Sequence, residues 1–147
     1  MHRALELVNG PATEVPVGAV LVLDGQVLAE SCNDTVAANN PLRHAEMRVL
    51  QTVVPTLTRE QCRRAILYVT LEPCPMCMAS LLACHIGTVV FAAYNLKWGA
   101  CGTVADFQAL FPYEACEVIG GICEAEATAV LQRFFHTIRT PEGAPHG

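Results

Sequence analysis

The sequence predicts an α/β protein, a mixed β-sheet with helices on both faces. Three observations carry this reading. A β-rich run from Val15 to Leu23 meets a second, Gln26 to Glu30, across Asp24-Gly25, the two-residue chemistry of a tight hairpin. Further on, the apolar runs Ala65 to Thr70 and Thr88 to Ala93 alternate with segments of helical character, the pattern of strands crossed over by helices. Hydrophobic residues make up 52% of the 147, enough to cover both faces of a sheet within one domain spanning residues 1–147.

Taken in order, Ala4, Leu5 and Val8 share one face of a short N-terminal helix that Asn9-Gly10-Pro11 ends. After the hairpin and a polar loop from Cys32 to Asn40, Asn40-Pro41 has the chemistry of an N-cap followed by proline at the first helical position. That predicts a helix from Pro41 to about Val53. Thr58 with Gln61 forms a capping box for a short helix to Arg64. Ala65 to Thr70 is the third strand, and a helix from about Cys74 to Cys84 follows, with Gly87 as its stop signal. Thr88 to Ala93 is the fourth strand, Asn95 to Gly102 a loop, and Ala105 to Leu110 a short helix. Glu117 to Ile119 is a weak fifth strand. Glu124 to Ile138 carries Ala127, Val130, Leu131, Phe134, Phe135 and Ile138 at helical spacing. The tail from Thr140 to Gly147 is rich in proline and glycine and reads as loose.

Composition narrows the classes. No run reaches the ~18 apolar residues of a membrane span, and the N-terminus lacks the apolar core of a signal peptide. The chain reads as cytoplasmic, or also nuclear if it is eukaryotic, with no membrane partner. Eight cysteines in such a setting are free thiols, mostly small buried hydrophobes, rather than a disulfide framework. A net charge of −5 with nine Lys and Arg is the wrong sign for gripping nucleic acid by an overall field. Any phosphate contacts fall to a local basic rim or a basic partner subunit.

The chemistry concentrates in Thr70-Leu71-Glu72-Pro73-Cys74-Pro75-Met76-Cys77 together with His44-Ala45-Glu46. A Cys-x-x-Cys pair at a helix start directs two thiolates at one ion, and the helix dipole helps to keep them ionised. His44 with Cys74 and Cys77 makes three protein ligands, the number that leaves zinc a position for water, as in catalytic sites. Glu46, two residues past the histidine, would be the proton carrier that such a water needs. Cys-Pro-x-Cys alone also fits a thioredoxin-like redox pair; the joint pattern with His44 and Glu46 favours the metal. His85, at the far end of the same helix, cannot reach the ion as a fourth ligand.

H-x-E followed by P-C-x-x-C is the signature of zinc deaminases acting on nucleobases. From Glu14-Val15-Pro16-Val17-Gly18-Ala19-Val20 to about Phe135 the chain resembles the cytidine/deoxycytidylate deaminase superfamily, and within it the tRNA adenosine deaminases that convert wobble adenosine at position 34 to inosine. The resemblance implies a three-layer α/β/α cytidine-deaminase-like fold with a mixed five-stranded sheet, and one catalytic Zn2+ per chain. It implies that Asn33 hydrogen-bonds the target base, while Val17 and Ala45 line the base pocket as an apolar face and a backbone donor. It places the Asn95-Leu96-Lys97-Trp98 loop beside the substrate, with Lys97 on phosphate and Trp98 stacked on a base, and Phe134-Phe135 near the anticodon loop. Asn95 stands where many bacterial members carry aspartate. The implied partners are the tRNA anticodon stem-loop and a second subunit, as homodimer or as heterodimer with an inactive deaminase-like chain.

Blander readings stand beside these. From the residues alone, Asn33 is a turn asparagine, Lys97 a solvated lysine, Trp98 a ring that packs its loop down, and Phe134-Phe135 core with one ring exposed at most. The rival activity is deamination of a free base or nucleoside such as guanine, cytosine or cytidine, which shares the zinc motifs and tolerates an acidic surface. A rival of another class is a non-catalytic zinc-holding subunit, in which the proton carrier would be lost, whereas Glu46 is present.

Overall fold

Strand β1 (Gly18–Leu23) turns through Asp24 and Gly25 into β2 (Gln26–Cys32) in a computed structural model that describes residues 1–139. Both turn residues have positive φ, 49° and 79°, as the hairpin signal requires. With β3 (Ile66–Leu71), β4 (Thr88–Ala93) and β5 (Glu117–Ile119) they form one sheet in the order β2-β1-β3-β4-β5. Strand β1 runs antiparallel to both its neighbours, β2 and β3, while β3, β4 and β5 are mutually parallel, so the sheet is mixed as expected.

The helices are α1 (His2–Glu6), α2 (Ala45–Val53), α3 (Arg59–Arg64), α4 (Pro75–Ala83), α5 (Phe107–Leu110) and α6 (Glu124–Arg139). Strand residues alternate between the two faces. Ala19, Leu21, Leu67, Val69, Val89 and Phe91 pack with Val49 and Leu50 of α2 and Met78, Leu81 and Leu82 of α4 in the main core. On the other face Ala92 and Ala93 meet Ala127 and Leu131 of α6 and Leu5 of α1. Small residues there let α6 approach β4 closely, and the result is three layers. Each fully buried Leu or Val contributes about 1.5–3 kcal/mol. Among the described residues no helix is long and apolar enough to cross a membrane.

Several boundaries differ from the sequence reading: β1 begins at Gly18 rather than Val15, β2 runs on to Cys32 rather than ending at Glu30, and α5 begins at Phe107 rather than Ala105. The helix expected from Pro41 begins only at Ala45, with His44 extended at the N-cap position (φ −70°, ψ 153°). Asn40 spends its side-chain oxygen on the amide of Leu42 two residues on, a local turn that replaces the helical start. Arg43, bonded twice to Asp34, then pulls the loop back toward its own beginning. Helix α4 stops at Ala83, and His85 (φ 59°), not Gly87, takes the left-handed backbone beyond it. The capping box at Thr58 and Gln61 forms in both directions, as expected. The first helix is shorter than anticipated, ending at Glu6. The expectation for 140–147 lies outside the described residues.

The parallel pair fixes where chemistry can gather. The C-terminal ends of β3 and β4 lie side by side, Leu71 opposite Ala93, and the chain leaves them as Glu72-Pro73-Cys74 and as the loop from Asn95. Because β1 runs antiparallel to β3, its beginning reaches the same edge, where the Gly18 amide donates to the Thr70 hydroxyl at 3.1 Å.

Candidate active site

Two helix N-termini meet at this edge. His44 sits at the N-cap position of α2 and Cys74 at that of α4, with Pro75 opening α4 and Cys77 in its first turn. The missing N–H of Pro75 costs nothing there, and its fixed φ sets the helix going immediately after Cys74. His44 Nδ1 lies 3.5 Å from the sulfur of Cys74 and 3.5 Å from that of Cys77. All three ligand atoms fall within 4.8 Å of one another, the one such group among the described residues. Tetrahedral zinc, with bonds of about 2.3 Å to sulfur and about 2.0–2.1 Å to nitrogen, needs its ligand atoms roughly 3.5–3.8 Å apart. The donor set and its spacing therefore fit the ion. His85, the remaining local candidate, is turned away and pairs with Glu114 at 2.8 Å.

The electrostatics of the Cys74–Cys77 pair are those of two thiols dividing one proton. The hydrogen bond with Cys77 holds the Cys74 thiol down at about 4 against the opposing effect of burial, with His44 helping. Cys77 is pushed up by the same bond and by burial. Glu46, in the first turn of α2, is 4% exposed. Burial raises its carboxyl to about 7, with the Cys74 charge adding to the rise and His44 opposing it.

His44, Glu46 and Cys74 line a cavity of about 910 Å3 whose lining is mostly apolar, while Cys77 is fully buried behind it. Of the residues singled out in the sequence, Val17, Asn33, His44, Glu46, Cys74, Asn95, Trp98, Phe134 and Phe135 all line it. Asn33 donates to the Val15 carbonyl at 3.0 Å and accepts the Ala45 amide at 2.9 Å. Ala45 is fully buried and outside the lining, its amide already engaged. Asn95 turns its side-chain oxygen into its own loop, accepting the amides of Lys97 at 3.2 Å and Trp98 at 2.9 Å. Lys97 is exposed and lies outside the lining; Trp98, 57% exposed, stands at the mouth. Phe134 and Phe135 meet edge to face with centroids 5.3 Å apart, and only Phe135 is exposed.

Residues 1–93 match the family described as cytidine and deoxycytidylate deaminase zinc-binding region. The chain belongs to that family. It is 37% identical over 133 residues to a tRNA-specific adenosine deaminase of Bacillus subtilis, covering 89% of this chain and 82% of the relative. Against the tRNA-specific adenosine deaminase of Agrobacterium fabrum it is 40% identical over 131 residues, 88% of this chain and 86% of the other. Among solved structures it superposes with TM-score 0.78 and 38% identity on one from a study of A-to-I editing by tRNA:A34 deaminases, covering 89% of this chain and 97% of that one. The zinc of the family is therefore the ion that His44, Cys74 and Cys77 are positioned to hold.

Two carboxylates in this deaminase site escaped the sequence reading. Glu14 accepts the amide of Thr35 at 2.8 Å, its hydroxyl at 2.7 Å and the amide of Val36 at 3.1 Å, pinning one wall of the cavity. Glu72, 1% exposed, accepts from the loop that forms the opposite wall. The one local signal was a carboxylate inside each motif, Glu14-Val15-Pro16 and Leu71-Glu72-Pro73-Cys74.

Proposed function

We propose that this chain hydrolyses the exocyclic amine of adenosine in tRNA, at the wobble position of the anticodon, releasing ammonia and leaving inosine. The observation that supports this most is Glu46, buried beside His44, Cys74 and Cys77 at the inner end of a cavity whose outer wall carries Trp98, Phe134 and Phe135. An inner polar group suited to a base and an outer aromatic rim suited to its neighbours are what a nucleotide inside a loop requires, since base flipping costs least where the base is already unstacked.

When bound, zinc supplies the Lewis acidity that makes water nucleophilic near neutral pH. Glu46 takes one proton from the water that attacks C6 and passes it to N1, then takes the second from the new C6 hydroxyl and gives it to the departing amine; one C–O bond forms, one C–N bond breaks, and no electrons are transferred. Burial raises this carboxyl to about 7, so near neutral pH it can both take a proton and hand it on. Asn33, beyond its bonds to Val15 and Ala45, keeps one N–H and one lone pair for the edge of the base. Val17 gives the base an apolar face, Trp98 stacks, and Lys97 meets phosphate at the rim. With a net charge of −5, phosphate contacts are few, and binding weakens only shallowly with salt. The chain works as a homodimer, or paired with an inactive deaminase-like subunit, in which case the purified chain alone has the mass of a monomer.

The test is to incubate the zinc-loaded chain with an anticodon stem-loop bearing adenosine at the wobble position, and separately with guanine, cytosine and cytidine, measuring ammonia and inosine. Ammonia from the stem-loop supports the proposal. Ammonia from free bases or nucleosides alone rejects it.

A further inference from the structure

The loop from Asn95 to Thr103 is neither helix nor named strand, and besides its own backbone bonds one side chain gathers much of it. The Glu72 carboxylate accepts the Cys101 amide at 3.0 Å and the Thr103 amide at 3.2 Å on one oxygen. Its other oxygen takes the Asn95 amide at 3.1 Å and the Thr103 hydroxyl at 2.5 Å. Among the described residues no ion pair involves Glu72, so its charge rests on these four donors. The loop passes so close that a Cβ at Gly99 would lie 2.6 Å from the Glu72 carboxyl carbon. Ala100 adds a bond from its amide to the Pro73 carbonyl at 2.9 Å. Glu72 lies two residues before Cys74, on the same turn.

We infer that Glu72 is a positioning residue that sets the distance between the metal-binding turn and the substrate loop, and with it the place of Trp98 at the cavity mouth. The inference rests on the deaminase reading above, but the clamp itself is a property of the free chain. A substrate wall made of irregular backbone must be ordered before binding, or binding bears the cost of ordering it. Four donors on one carboxylate order this wall in advance. Losing the clamp therefore weakens substrate binding more than it slows chemistry at Glu46.

Glu72→Gln keeps the shape but not the four acceptances: whichever way the amide turns, at least one loop N–H faces an NH2 group. Trp98 is the only tryptophan, so its fluorescence anisotropy decay reports the loop without any substrate. The expected result is unchanged zinc content, a fast component in the Trp98 decay, KM for the stem-loop raised about tenfold and kcat lowered less than about threefold. Thr103→Val, at an exposed position, removes one of the four donors and should move both readings in the same direction by less, with Thr103→Ser restoring them. Should Glu72→Gln fail to fold, the Val and Ser variants decide alone. Wild-type anisotropy and KM in the folded variants overturn the inference. A chain that deaminates no RNA defeats the deaminase reading, while the Trp98 decay still decides for or against the clamp.

Discussion

Asn33 and Ala45 are joined by a hydrogen bond of 2.9 Å from the Ala45 amide to the Asn33 side-chain oxygen, across twelve residues of chain. The N-cap residue of α2, His44, makes no capping bond of its own, so a distant side chain caps the helix and the imidazole stays available to the thiols. The same asparagine ties the approach to β1 through the Val15 carbonyl. Asn33→Ala should therefore cost about 1–3 kcal/mol in urea unfolding, because a donor and an acceptor lose their partners together. Asn33→Asp keeps the acceptor and loses only the donor, and should cost less. Turnover should fall in both by more than stability accounts for, since Glu46 follows the capped amide directly. A stability loss without a loss of turnover would show that the bond is only structural.

Glu46→Gln removes the proposed proton carrier while leaving the shape of the side chain and the His44, Cys74 and Cys77 group. Single-turnover inosine formation should drop by about 10²–10⁴-fold. Metal analysis and circular dichroism should be unchanged, which separates lost chemistry from lost structure. Turnover within about tenfold of wild type would assign the proton transfer to another group.

The hairpin, the five strands, the Thr58 capping box and the meeting of His44, Cys74 and Cys77 were legible because each follows from residues close in sequence or from side chains with few alternative uses. The start of α2 was not. Asn40-Pro41 has the local chemistry of a helix start, but the bonds that decide the matter run from Arg43 to Asp34 and from Ala45 to Asn33, and a local pattern does not contain them. Asn95 shows the same limit inside its loop, where its side-chain oxygen accepts the amides of Lys97 and Trp98, bonds that composition alone does not announce. The clamping role of Glu72 was illegible because its amide donors lie 23, 29 and 31 residues downstream, in a loop whose composition marks it only as irregular.

Metal removal should act on both function and fold. Three ligands from two helix N-termini gain a common partner in the ion, so the holo form is stabilised by linkage, about 2.7 kcal/mol when free zinc stands at a hundred times its dissociation constant. A chelator should abolish deamination and lower the thermal midpoint, and added zinc should restore both. Cys77→Ser should do the same without a chelator, and added zinc should not rescue it. Activity that survives chelation with no zinc left on the protein would remove the metal from the mechanism.

Glu14 offers a prediction whose sign can be worked out. Burial alone would raise its carboxyl, but the hydrogen bonds from Thr35 and Val36 outweigh burial and hold it below the ordinary value of 4.5. A carboxyl depressed in the folded state contributes stability that is present above its unfolded value and is lost as pH falls through the folded one. Comparison of wild type with Glu14→Gln should thus show a constant advantage for wild type above about pH 5.5, shrinking steadily in more acid solution. Urea midpoints measured from pH 7 downward give the curve. Because Thr35 and Val36 form the cavity wall that Glu14 pins, the variant should also bind the stem-loop more weakly at neutral pH. An advantage that persists undiminished in acid would mean that the charge on Glu14 is not what holds this wall in place.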